Sequence, residues 1–205
     1  PALVLFDEPM IGLDPHAIKE MKLIFSELKE RGKALLEAGD GRPPMLAAAA
    51  SGELALLAGS TYVVQINDSG NVAGVNNDLV EAQTATLHDG ARILVTPANG
   101  TDDGSTYAPG TTYTIIRTAA SGGLAVLAPP AILDDFALLD FIGHTDGRDY
   151  FVTSQAVASF CRPGMTFNQC STAGGVQSLG AGRAPYDAAL LLANGDAPAA
   201  FDAMS

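Results

Sequence analysis

The sequence predicts a mainly β protein, with a strand–helix unit before the β region and short helices after it. Three observations lead there. Between residues 53 and 155 the apolar residues fall in short runs rich in Val, Ile, Thr, Tyr and Phe, broken by Gly, Asn, Asp and Pro. Before residue 34 the apolar residues follow a strand run and then a helical period instead. Basic residues also change along the chain: every lysine lies within the first 33 residues, and from residue 41 onward only six arginines remain.

The first element is "LVLFDEPMIGLDP", residues 3 to 15. Leu3 to Phe6 is a continuous apolar run of the buried parallel-strand kind. Asp14 is placed as a helix N-cap with Pro15 at the first helical position. Ile18, Met21, Phe25 and Leu28 then recur at helical spacing, and Gly32 fits a C-terminal cap, so the pattern predicts a helix over 15–32. Residues 2–34 resemble the Walker B strand and D-loop of an ABC-transporter ATPase. The resemblance implies that Asp7 holds magnesium through water, that Glu8 polarises the attacking water, and that Asp14 acts across a dimer of ATPase domains. The chain has no G-x-x-x-x-G-K-[ST] phosphate loop and no Leu-Ser-Gly-Gly signature. Without that cradle the three acids are expected to be vestigial, with no ATP hydrolysis and no catalytic residue.

The pattern breaks after about Ala34, and the join with the next region is placed between about Leu35 and Ser51. Residues 1–40 are therefore read as the ATPase-like piece and residues 41–52 as a seam. In the seam Pro43-Pro44 opposes a continuing helix, while Ala47 to Ala50 would extend a short helix or form a low-complexity joint.

Residues 53–155 carry "STYVVQI", "TATLH", "ARILVT", "TTYTIIR", "DFALLDFIG" and "RDYFVTS". Two of them, "TYVVQI" and "TTYTIIR", alternate as strands with one buried and one exposed face. Pro109-Gly110 marks a turn, and Asp146-Gly147 between two aromatic-containing strands is a hairpin signal. Short strands with frequent turns fit a solenoid, a sandwich or a barrel. The ordered series "LLAGSTYVVQIND", "TATLHDGARILVTP", "YAPGTTYTIIRTA", "RDYFVTSQ", "TFNQCSTAGGVQSLGAG", "PYDAALLL" and "AAFDAMS" resembles the C-terminal end of an autotransporter (type V secretion) passenger over about residues 53–205. The resemblance implies the end of a right-handed parallel β-helix with a hairpin cap over 53–155. It also implies a helical linker over 156–205 towards a β-barrel. From the residues themselves, "PYDAALLLAN" and "APAAFDAMS" each start with Pro near a helix-favouring run, so short helices are expected there, with Leu190, Leu191, Leu192 and Phe201 packing on each other or on the stem.

Charge narrows the partners. The chain carries a net charge of −12, which opposes binding to nucleic acid or to an anionic membrane surface. No apolar run reaches the roughly 18 residues of a spanning helix, so no membrane span is expected. The chain starts at Pro1 and reads as a fragment.

Few residues point to chemistry. Cys161 and Cys170 are the only cysteines, and the residues alone leave open a small-loop disulfide or two unbonded thiols. The exported parent implied by the autotransporter resemblance favours the disulfide. His16, His88 and His144 are scattered and expected to be solvated. "NDSGN" at 67–71 and "TDDG" at 101–104 lack the spaced acids of a calcium loop, so no metal site is expected. No G-x-S-x-G elbow or dinucleotide fingerprint is present.

The expected function is that of a non-catalytic β-stem and autochaperone segment, supporting passenger folding and secretion at the outer membrane within a chimeric chain. Its partner would be an outer-membrane β-barrel translocator. The parent of 53–205 would sit at the outer membrane or cell surface, or be secreted, and the parent of 1–34 in the cytoplasm. The alternative is an ATP-binding fragment of an ABC transporter, and only that reading requires ATP and magnesium.

Overall fold

The computed structural model describes residues 52–67, 70–98 and 107–205, and the backbone of three further strands at 4–7, 35–38 and 47–49. β1 (Val4–Asp7) and β2 (Leu35–Ala38) form a two-stranded parallel ladder running from Val4↔Leu35 to Asp7↔Ala38. β2 lies just beyond Ala34, where the sequence reading placed no element. Four residues are enough for a ladder and too few to display a period. The helix expected over 15–32 lies outside the described residues.

Among the described residues nine strands follow the seam's first residues: β3 (Ala47–Ala49), β4 (Glu53–Leu56), β5 (Thr61–Ile66), β6 (Leu79–Ala82), β7 (Thr84–Leu87), β8 (Arg92–Pro97), β9 (Thr112–Thr118), β10 (Leu124–Val126) and β11 (Ala131–Asp134). They form three parallel sheets, β3–β6–β9, β4–β7–β10 and β5–β8–β11. In each, a strand pairs with the strand three places later, so three successive strands make one layer of a stack. β3 differs from the sequence reading. The alanine run, read as a short helix or a low-complexity joint, is at Ala47–Ala49 a strand paired through Ala47↔Leu79 and Ala48↔Val80. Alanine is a good helix former, but here the ladder offered by β6 overrides propensity.

Register turns this repetition into a core. Leu54, Ala85 and Leu124 are successive partners across one sheet, and Leu56, Leu87 and Val126 form the next row. Tyr62, Ile93 and Ile132 align across another, followed by Val64 and Val95. Nearly all of these side chains are buried. Each fully buried Leu or Ile contributes about 1.5–3 kcal/mol by leaving water. A strand of three or four residues is thus held by its neighbours above and below rather than by its own length.

The stack ends where the chain reverses. β12 (Leu139–Thr145) and β13 (Asp149–Ala156) form an antiparallel hairpin, and β13 pairs antiparallel with β9. The β3–β6–β9 sheet therefore extends to β12–β13–β9–β6–β3, and none of the described sheets closes into a barrel. The hairpin turns at Asp146-Gly147, with Gly147 at φ 87°, a left-handed value that suits glycine. The strand in "DFALLDFIG" begins only at Leu139, because Phe136 pairs instead with Ala193 from the C-terminal segment.

Three helices complete the chain: α1 (Phe167–Leu179), α2 (Ala184–Ala189) and α3 (Ala197–Ala203). Phe160, Tyr186, Leu190 and Phe201 enter the same core as the strands, with Leu191 and Leu192 packed against it. Among the described residues the protein is mainly β, in parallel sheets, with few short helices and none long between 84 and 155.

Candidate functional site

The residues singled out for nucleotide chemistry do not come together as a described site. Asp7 ends β1 in backbone only, and Glu8, Asp14 and His16 lie outside the described residues. So do "TDDG" at 101–104 and Asp68-Ser69 within "NDSGN". His88 sits at a corner of the stack, its N–H donating to the Leu56 carbonyl at 2.9 Å. His144 is exposed on the hairpin and stacks on Phe151 at 5.1 Å. Among the described residues no three His, Cys, Asp or Glu side chains are grouped to hold a metal ion.

The described polar groups converge instead on the switch from parallel to antiparallel pairing around β9. Tyr150 of β13 faces Ile116 and Phe151 faces Thr114, so Ile115 is an extra residue on β9, a β-bulge. Ile115 and Ile116 are consecutive and both fully buried. "TTYTIIR" therefore changes phase at this doublet, where the sequence suggested simple alternation. The Tyr62 hydroxyl of β5 donates to the Ile115 carbonyl at 3.1 Å. Burial, followed by the charge of Asp78, raises the Tyr62 pKa well above its usual value, so the donor proton is retained at physiological pH. One residue before the bulge, Asn77 Nδ2 donates to the Thr114 carbonyl at 2.7 Å and to the Asp78 carbonyl at 2.8 Å.

On the outer side of the same strands, Glu81, Arg117 and Asp149 are successive partners across β6, β9 and β13. Arg117 Nε donates to Asp149 Oδ2 at 3.2 Å, and its Nη1 lies 3.8 Å from Glu81 Oε1. Arg148 Nε donates to the Thr118 carbonyl at 3.2 Å and lies 3.8 Å from Asp149 Oδ1. Asp149 is buried, and its Oδ1 accepts no hydrogen bond. These groups border a pocket of about 270 Å³ lined by Glu81, Gln83, Arg117, Thr118 and Arg148 among others. Arg117, Arg148 and Glu81 line this pocket, and the buried Asp149 that bonds Arg117 is not among its lining residues. The Arg117–Asp149 pair fixes the register of β9 against β13.

The helical segment is attached by single, specific contacts. Gln177 of α1 accepts from the Phe160 N–H at 3.0 Å and donates to the Ala158 carbonyl at 3.1 Å. Thr166 and Gln169 form a reciprocal capping box at the start of α1. Gln169 Nε2 also reaches Asp202 of α3 at 2.7 Å. Cys161 and Cys170 are joined as a disulfide with Cα atoms 4.6 Å apart. The T-x-x-Q spacing in "TFNQ" is the signal that would have placed the start of α1 from sequence. The roles of Gln177, Asn77 and Tyr62 depend on long-range register and had no local signal.

The chain matches no protein-family model, no curated protein and no solved structure.

Proposed function

We propose that residues 53–205 are the terminal stem of a longer parallel β-helix, acting as the folding cap of an autotransporter passenger rather than as an enzyme. The observation that carries this reading is the three-sheet stack with every strand paired three places on, ended by an antiparallel hairpin and then by helices. A stack of layers exposes strand edges at its ends, and an open edge invites wrong pairing. Here β13 takes the edge of β9 in antiparallel sense. The bulge at Ile115, the Tyr62 hydroxyl and the Arg117–Asp149 pair fix that junction. A junction fixed by local turn chemistry can form early and offer β9 as a template for the layers before it.

On this reading the partner is an outer-membrane β-barrel translocator and the parent protein works at the cell surface. Among the described residues no helix is long and apolar enough to cross a membrane. The test is to place this chain ahead of an autotransporter barrel and measure surface display by protease accessibility. Display that fails when Gly147→Val disrupts the hairpin supports the reading. Display indifferent to the hairpin, with the variant folded, refutes it.

A second reading, an ATP-binding fragment, draws on "LVLFDEPMIGLDP" and on the parallel β1–β2 pair. The chain lacks a phosphate loop, and its carboxylates repel a triphosphate unless magnesium and backbone amides offset the charge. Titration with magnesium and a fluorescent ATP analogue is expected to show no saturable binding. Micromolar binding lost in Glu8→Gln would make this second reading the leading one.

A further inference from the structure

Two of the six arginines after residue 41 meet at one pocket, in a chain of net charge −12. The register brings them there. Glu81 and Ala82, at the end of β6, pair with Arg117 and Thr118, at the end of β9, and Arg148 directly precedes β13. These residues, with Gln83 and Ala119, line the pocket of about 270 Å³.

Both guanidinium groups are held at Nε. Arg117 Nε donates to Asp149 Oδ2 at 3.2 Å, and Arg148 Nε donates to the Thr118 carbonyl at 3.2 Å. Their Nη groups are left over. Arg117 Nη1 lies 3.8 Å from Glu81 Oε1, beyond hydrogen-bond distance. Among the described residues no Nη atom of either arginine makes a hydrogen bond, and the Gln83 side-chain amide makes none.

We propose that this pocket binds a carboxylate carried on a short apolar stem, either a small monocarboxylic acid or the free C-terminus of a peptide. A planar guanidinium offers paired N–H groups that match the two oxygens of a carboxylate. The Nε tethers fix both forks in advance, so binding orders little that was free. Ala82, Ala119 and the arginine stems supply apolar surface for the carbon body.

Charge selects the ligand further. Two arginines against Glu81 leave the lining with one net positive charge, which suits a monoanion. Asp149, buried outside the lining, and the exposed Asp146 of the turn oppose any anion here, and they oppose a phosphate dianion more than a carboxylate. Glu81 is the internal competitor. Its side chain is about half exposed and makes no hydrogen bond to Arg117, so a ligand carboxylate replaces it there. The site does not depend on the stem reading.

The experiment is an NMR titration of the intact, oxidised chain with sodium butyrate at constant ionic strength. It follows the arginine side-chain N–H groups and the amides of residues 81–83 and 117–119. Saturable shifts should be confined to these groups, with half-saturation at about 1 mM for so small a ligand. Inorganic phosphate should bind more weakly. Acetyl-alanyl-alanine with a free carboxylate distinguishes the two sources: tighter binding than butyrate assigns a peptide terminus, and weaker binding a small acid. Its C-terminal amide should not bind. Glu81→Gln should tighten butyrate by about two- to fivefold, because the competing ion pair is gone. Arg148→Met should weaken it about tenfold or more, and Arg148→Lys should recover only part of that. Unchanged β5 and β8 amide shifts show that each variant is folded. Shifts that never saturate, phosphate binding as tight as butyrate, no tightening in Glu81→Gln, or binding unmoved in folded Arg148→Met would each overturn the proposal. Failure of surface display would leave it untouched.

Discussion

The parallel stack and the C-terminal end are built on different principles. From β4 to β11 the same pairing recurs, and rows such as Leu54, Ala85 and Leu124 repeat one apolar contact through successive layers. From β12 onward each contact occurs once: a hairpin turn, a bulge, the Gln177 clamp, a capping box and a disulfide. Repetition makes short strands stable and says nothing about where to stop. Unique contacts supply the stopping point, because a further layer cannot satisfy them.

Core truncations should separate the two regions most strongly. Ile93→Ala removes a fully buried side chain in the middle layer, between Tyr62 and Ile132. Phe160→Ala removes a fully buried ring stacked on Tyr186 at 5.2 Å. The first should cost about 2–5 kcal/mol and the second about 3–5 kcal/mol in urea unfolding. The distribution is the sharper measure. Exchange protection should fall throughout the stack for Ile93→Ala, but mainly over residues 157–205 for Phe160→Ala. Loss spread evenly over the whole chain in both variants would erase the distinction between the regions.

Reduction of Cys161–Cys170 comes next. The bond closes a loop with a sequence separation of 9, so reduction should cost about 2–3 kcal/mol of stability through the freed unfolded chain. The effect should be confined to the helical end. If thiol reductant lowers the stability of β5 and β8 as much as that of α1, the disulfide serves the stack and the two-region picture fails.

A smaller effect belongs to Thr166, whose hydroxyl accepts the Gln169 N–H at 3.3 Å. Thr166→Ala should cost about 1 kcal/mol, read as a shift in the thermal midpoint. It should also loosen Asp202, because Gln169 carries both contacts. A neutral result would show that the disulfide alone sets the start of α1.

What the sequence made legible follows this same division. β5, β8 and β13 could be read because their β-branched and aromatic residues suit a pleated, half-buried surface. The Asp146-Gly147 turn could be read because its chemistry is local: the Asp146 carboxylate accepts the Asp149 N–H at 2.8 Å and the Arg148 N–H at 2.9 Å. "AAA", "LVEA", "LAV" and "AILD" were not read as strands, since three or four residues show no period and their stability comes from the layers on either side. The bulge was hidden in an Ile-Ile doublet whose meaning depends on β13, more than 30 residues away. Nor could any local pattern reveal that Asn194 would donate to the Asp134 carbonyl.

The smallest prediction tests whether the outer charges of the junction matter equally. Glu81 is about half exposed, and its contact to Arg117 is long at 3.8 Å. Glu81→Gln should therefore change stability by only about 0.2–1 kcal/mol, and less in high salt. Asp149 is different, since it is buried and bonded to Arg117 at 3.2 Å. Arg117→Met keeps much of the side-chain stem but removes that donor. It should cost about 1–3 kcal/mol, because a buried carboxylate loses its hydrogen-bonding partner. A double-mutant cycle between Glu81→Gln and Arg117→Met isolates the weaker contact, and its coupling should be within a few tenths of a kcal/mol. A large coupling would mean that β6 is pinned to β9 by charge. The register of the stack would then depend on specific polar contacts as much as the C-terminal end does.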